Sequence, residues 1–175
     1  MAMKVQNTNT CFFKWLFLTT VLFLYVCFSS AQPVLPQRTI TVTPTQGIHF
    51  GTFCLTGSSG GTITVGYDGS RNKTGDIALF MKAPTAHPAI FEIKLCEGRN
   101  VIINFDVTTI LTGSNGGTLT LNLGPTEKGI NGASFLTNSD CNFITPLRMG
   151  GTLLVPGTAI PGTYTGSFAI TFNQQ

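Results

Sequence analysis

Gly60-Gly61-Thr62-Ile63-Thr64-Val65, Gly116-Gly117-Thr118-Leu119-Thr120-Leu121 and Gly150-Gly151-Thr152-Leu153-Leu154-Val155 repeat one local chemistry. Each writes a glycine pair, a threonine and then an apolar or alternating run. The last stretch, Pro161-Gly162-Thr163-Tyr164-Thr165-Gly166-Ser167-Phe168-Ala169-Ile170-Thr171-Phe172, carries the same alternation to the end of the chain. Glycine pairs permit sharp turns, and threonine, valine and isoleucine in alternation suit a half-buried strand. In Thr163–Phe172 the residues Tyr164, Gly166, Phe168, Ile170 and Phe172 share one face, which is the expected core side, with Phe168 and Ile170 buried there. The unequal spacing of the three glycine pairs excludes a solenoid or propeller period.

Working outward, the remaining strand candidates are Arg38–Thr43, Ile48–Leu55, Thr62–Tyr67, Asp76–Met81, Ile90–Leu95, Val101–Val107, Thr118–Leu123 and Arg148–Val155. Turn-rich segments separate them, among them Thr56–Gly61, Asp68–Gly75, Glu97–Asn100 and Gly113–Gly117. Helical periodicity is absent after residue 31. Short strands at this spacing give the expected fold class: all-β, an antiparallel sandwich. Gly124–Thr145 reads as a long irregular stretch, which in a compact domain is either functional or pinned. Cys141 is the natural pin.

The N-terminus reads as an export signal. Lys4 and Lys14 supply the positive region, Trp15–Phe28 the apolar region, and Ser29-Ser30-Ala31 the small-residue cleavage site. Cleavage between Ala31 and Gln32 is expected, leaving 32–175 as a single domain. Retention as a membrane anchor is the rival, although the apolar run is shorter than the roughly 18 residues a spanning helix needs. The expected location is therefore secreted, periplasmic or at the cell surface, with membrane contact only through the signal.

Composition narrows function. Ten lysines and arginines face seven acids, and Lys4 and Lys14 leave with the signal, so the mature chain is close to neutral. It has no basic stripe, and nucleic acid is not an expected partner. Five cysteines become three once Cys11 and Cys27 are removed. Export implies an oxidising compartment, hence one bridge and one leftover thiol, expected to be buried. If the strands after Ile48 simply alternate direction, Cys96 and Cys141 share one end of the domain and Cys54 lies at the other. Cys96–Cys141 is the favoured bridge and Cys54 the free thiol.

No catalytic set stands out. There is no Gly-x-Ser-x-Gly elbow and no phosphate loop before a helix. His49 and His87 are far apart in sequence and read as packed or surface residues, not as metal ligands. Asp68, Asp76 and Asp140 sit in turns, where aspartate ordinarily bonds its own backbone. No enzymatic activity, metal or cofactor is expected. Tyr67, Phe80, Phe135 and Phe143 are the aromatic candidates for an exposed binding surface.

In order, Phe50-Gly51-Thr52-Phe53, Gly61-Thr62-Ile63-Thr64-Val65 with Gly69 and Arg71, Phe91-Glu92-Ile93, Gly150–Pro156 and Gly162–Phe168 resemble the bacterial secreted family called domain of unknown function 4402. The resemblance covers Thr39–Phe172. The closing Gly-Thr-Tyr-x-Gly segment is also similar to the last strand of spore coat U-type and archaic chaperone–usher pilin subunits. Those are immunoglobulin-like sandwiches completed by a neighbour's strand. The resemblance implies an immunoglobulin-like, pilin- or adhesin-like sandwich with a structural or adhesive role at the bacterial surface, as a fimbrial-type subunit or otherwise. The alternative is a free-standing binding module for a glycan or another surface ligand. Its expected partners are its own copies or other surface subunits. Gln32–Thr45, with Ile40 and Val42 between prolines, is the candidate for strand complementation; it either closes its own domain beside Thr163–Phe172 or adds to a neighbour's edge.

Overall fold

Alternation dominates the architecture, as the residue pattern dictates. A computed structural model of the chain describes residues 40–95, 98–140 and 142–175. Within them lie thirteen strands and no helix. They are β1 (Thr41–Gln46), β2 (Phe53–Leu55), β3 (Gly61–Val65), β4 (Arg71–Gly75), β5 (Ile77–Leu79), β6 (Ala89–Lys94), β7 (Asn100–Phe105), β8 (Thr108–Gly113), β9 (Thr118–Thr126), β10 (Ser134–Leu136), β11 (Thr145–Val155), β12 (Tyr164–Thr165) and β13 (Ile170–Gln174). Every pairing among them is antiparallel. The proposed cleavage site at Ala31 and Gln32 lies outside the described residues, as do Cys96 and Cys141.

β11 is the spine. Its first half pairs with β6, from Thr145 opposite Ile93 to Met149 opposite Ala89. Its second half pairs with β3, from Gly151 opposite Val65 to Val155 opposite Gly61. Its other edge carries β9. The large sheet runs β1-β6-β11-β9-β8-β12, with β3 and β4 attached beside β11. A second sheet runs β10-β7-β13, and β2 pairs with β5. Strands distant in sequence are neighbours in these sheets, so the chain is not a simple meander.

Alternation along each strand builds one core. Ile63 and Val65, Phe91 and Ile93, Val101 and Ile103, Leu119 and Leu121, and Leu147 and Met149 are all buried in it. Cross-strand neighbours share a face, so the buried rows line up across β3, β6, β11 and β9. Sheets with one apolar face bury it against each other because exposed apolar area costs free energy in water.

The strand expectations need four corrections. Arg71–Gly75, read as part of a turn, is a strand, because Thr62 and Thr74 hydroxyls bond across it at 2.7 Å and its backbone pairs with β3. Thr108–Gly113 is a strand hairpinned onto β9 through Ser114–Gly117, where Gly116 and Gly117 take φ of 91° and 78°. Ser134–Leu136 turns part of the supposed loop Gly124–Thr145 into the edge of the second sheet. Thr163–Phe172 is two strands in different sheets: β12 on β8, then β13 on β7. Its predicted phase holds for the aromatic and aliphatic side chains, since Tyr164, Phe168, Ile170 and Phe172 pack against the core. They are half-buried and not fully enclosed, because β13 is an edge strand paired only with β7. Gly166 is exposed; a Cβ there would come within 2.8 Å of the Ile110 carbonyl oxygen.

Candidate functional site

The sheet geometry creates a cleft where β6 and β3 meet end to end along the same edge of β11. β6 begins at Ala89, opposite Met149, and β3 ends at Val65, opposite Gly151. Between them Gly150 carries no side chain; a Cβ there would lie 2.5 Å from the Val65 carbonyl oxygen and 3.0 Å from the Tyr67 nitrogen. The chain after β3 can therefore press against β11 and turn through Tyr67–Gly69, with Gly69 at φ 84°. On the outer face, Gln46, Ile90 and Arg148 stand opposite one another on β1, β6 and β11. This row, Pro88 and the Tyr67-Asp68 turn enclose an open cleft of about 320 Å3.

Its polar side chains Gln46, Asp68 and Arg148 are each held by a hydrogen bond. Gln46 Nε2 donates to the Pro88 carbonyl at 2.8 Å. The Ser70 amide donates to Asp68 Oδ1 at 3.0 Å. Hydrogen bonds from the Ser70 side chain and then its backbone hold the Asp68 carboxyl below its usual range. Arg148 Nη1 lies 3.4 Å from Glu127 Oε2, an exposed pair that contributes little stability but orients the guanidinium. Tyr67 is 40% exposed, a large value for an aromatic ring beside a charged pair.

The residues that carry the family resemblance meet in space a short way along the chain. Arg71 lies opposite Val65 and so points to the core side of β4. Its Nη1 donates to the Phe80 carbonyl and its Nη2 to the Thr52 carbonyl, both at 2.9 Å. Gly51, at φ 71°, lies against the guanidinium; a Cβ would sit 3.0 Å from Arg71 Cζ. Burial lowers the Arg71 pKa, and its Nε is buried with no partner among the described residues. One fork thus ties the Phe50–Phe53 segment to the residue that follows β5.

His49 and His87, far apart in sequence, pair in an isolated antiparallel bridge. Each amide donates to the other's carbonyl at 2.9 Å, and the rings are 5.6 Å apart. The Gly51 amide donates to His49 Nδ1 at 2.8 Å, which fixes the neutral ring with its proton on Nε2. Sequence reasoning missed this pair because 38 residues separate the two and no local signal marks a bridge between loops. Among the described residues no three His, Cys, Asp or Glu side chains gather as a metal site.

The other predicted positions fall as follows. Cys54 has no disulfide partner among the described residues, but it is exposed, not buried. Phe53 and Leu55 take the inner positions of β2 and leave Cys54 on the outer one. Ile40 and Val42 pack against the core, and β1 pairs with β6 of its own chain, not with the closing segment. Asp68 and Asp140 accept the backbone amides of Ser70 and Asn142 two residues on, as turn aspartates do, whereas Asp76 accepts the Ser59 amide from a distant segment. Tyr67, Phe80 and Phe143 are exposed, whereas Phe135 is buried on β10.

These features define an all-β, antiparallel domain with a polar cleft on the outer face of its large sheet. The chain belongs to the family described as domain of unknown function (DUF4402), whose model matches residues 40–173. No curated protein and no solved structure matches it.

Proposed function

We propose that this protein is an exported, non-enzymatic immunoglobulin-like β-sandwich with a structural or adhesive role at the bacterial cell surface. The observation that carries this reading is the β1–β6 ladder. Thr41 to Gln46 pairs with Lys94 to Ile90 within one chain, so the segment nearest the export signal is folded into the domain's own edge. A domain that closes its own edge needs no neighbour to satisfy those backbone groups. This favours a self-contained surface domain over a fimbrial subunit completed by another copy. The neutral mature chain and the threonine-rich outer faces of β1, β3 and β9 fit a protein built to stand in water on a surface. Size-exclusion chromatography with light scattering tests the reading: the exported protein should be a monomer. A polymer that dissociates when Gln32–Thr45 is removed would establish the fimbrial arrangement in its place.

A disulfide belongs to the same proposal. The Gly98 amide donates to the Asn138 carbonyl at 3.1 Å, and the Thr137 amide to the Arg99 carbonyl at 3.0 Å. The segments that lead to Cys96 and Cys141 therefore run side by side, which supports a Cys96–Cys141 bridge formed on export. A second reading, a binding module for a glycan or other surface ligand, is favoured by the exposed Tyr67 in the cleft beside Asp68 and Arg148.

A further inference from the structure

We propose that the cleft at the β3–β6 junction is a subsite for one uncharged sugar ring of a surface glycan. The proposal deepens the binding-module reading and rests on it. The supporting chemistry is the set of polar valences left over after the cleft has been built. Gln46 spends its Nε2 on Pro88, Asp68 its Oδ1 on Ser70, and Arg148 its Nη1 on Glu127. Among the described residues, no further hydrogen bond engages Gln46 Oε1 or Arg148 Nη2, and the Asp68 carboxylate keeps acceptor lone pairs beyond its bonds from Ser70. A carboxylate only accepts and a guanidinium only donates, so the pair is matched to groups that do both. Neighbouring hydroxyls on a sugar ring are such groups: one donates to Asp68 while the next accepts from Arg148.

The lining also says what does not fit. Asp68 and Arg148 carry opposite charges in one small space. An anionic ligand gains Arg148 but meets Asp68, and a cation meets the reverse. A neutral ligand pays neither repulsion. The Tyr67 ring, Pro88 and Ile90 supply an apolar wall for the C–H face of the ring, the mixed apolar and convergent polar lining that small-ligand sites show. The volume sits at the bottom of the roughly 300–1,000 Å3 range of such sites, enough for one ring. Because the cleft is open, the rest of a glycan chain can run out into solvent. Asp68 and Arg148 are anchored by Ser70 and Glu127 outside the cleft and Gln46 by Pro88 at its wall, so little side-chain freedom remains to be lost on binding.

Saturation-transfer NMR on the exported protein tests the site, with methyl glycosides of glucose, galactose, mannose and N-acetylglucosamine as neutral probes and methyl glucuronide as the charged one. A glycan array on the same protein runs beside it. At least one neutral glycoside should receive saturation, with a dissociation constant on the order of 1 mM. Tyr67→Ala should weaken it at least tenfold, and Asp68→Asn likewise, each with an unchanged melting temperature. Preference for the glucuronide would overturn the uncharged class. Binding that survives both folded variants would overturn the site, and array binding that persists in them would keep the binding-module reading with another surface. Silence on both the array and the NMR would overturn the subsite and the glycan reading together, without touching the structural role tested by light scattering.

Discussion

Gly150 is the residue on which the most geometry converges. β11 changes partner there from β6 to β3, and the bulge in its pairing with β9 falls between Met149 and Gly151. A Cβ would meet main chain, the Val65 oxygen and the Tyr67 nitrogen, which cannot rotate away. Gly150→Ala should therefore cost about 1–3 kcal/mol in urea melts, the usual range for overpacking. A change within about 0.5 kcal/mol would mean that the strand junction gives way easily.

His49 makes a prediction of its own at the same scale. Burial first, then the neighbouring charges of His87 and Arg71, lower its pKa from the ordinary 6.5. The Gly51 amide also bonds the unprotonated Nδ1. A base whose pKa is lower in the folded state takes up its proton more readily when unfolded. Its contribution is whole above about pH 6.5 and is lost as the pH falls from there toward the folded value. Urea melts should show stability dropping across that window, and His49→Gln should flatten the drop. Superimposable pH profiles for the two proteins would assign the effect elsewhere.

At the scale of elements, the edge strands are the informative ones. Ile40, just before β1, and Val42 within it pack against the core, with Val42 opposite Ile93. Ile40→Asp with Val42→Asp should lower the melting temperature and leave the mass in solution unchanged. A shift in oligomeric state instead would show that β1 serves a neighbour, and no effect on either would reduce Gln32–Thr45 to a linker. On β13 and the link before it, Phe168 and Phe172 set their rings 6.3 Å and 6.2 Å from Phe91. Full burial of Phe168 would make its truncation cost about 3–5 kcal/mol. Half-buried at an edge, Phe168→Ala should cost about 1–2 kcal/mol, less than Phe91→Ala from the middle of β6. A larger loss at Phe168 would mean that its edge is covered in solution.

At the scale of the whole molecule, the cysteines and the proposed export signal test the compartment. Non-reducing peptide maps of the exported protein should recover Cys96 with Cys141 and Cys54 alone. Replacing the bridging pair with serine should cost about 2–4 kcal/mol. Any Cys54-containing bridge would overturn the pairing. Intact mass should begin at Gln32.

The all-β class was legible because alternation is a local signal: two residues apart means the same face, whatever the strand pairs with. That is why Tyr164, Phe168, Ile170 and Phe172 pack on the side that their alternation predicts. Part of the family resemblance has a related local basis: Gly51 sits against the Arg71 guanidinium, and Gly61 and Gly150 against main chain, where a side chain would not fit. β4, β8 and β10 were not legible. Arg71-Asn72-Lys73-Thr74 has no apolar alternation, and only its pairing with β3 makes it a strand. The pairing of β11 with both β6 and β3, the bridge between His49 and His87, and the cleft those arrangements create were decided by tertiary structure. Each depends on which distant segments share hydrogen bonds, and that is fixed by closing the whole core at once. No window of local sequence carries it.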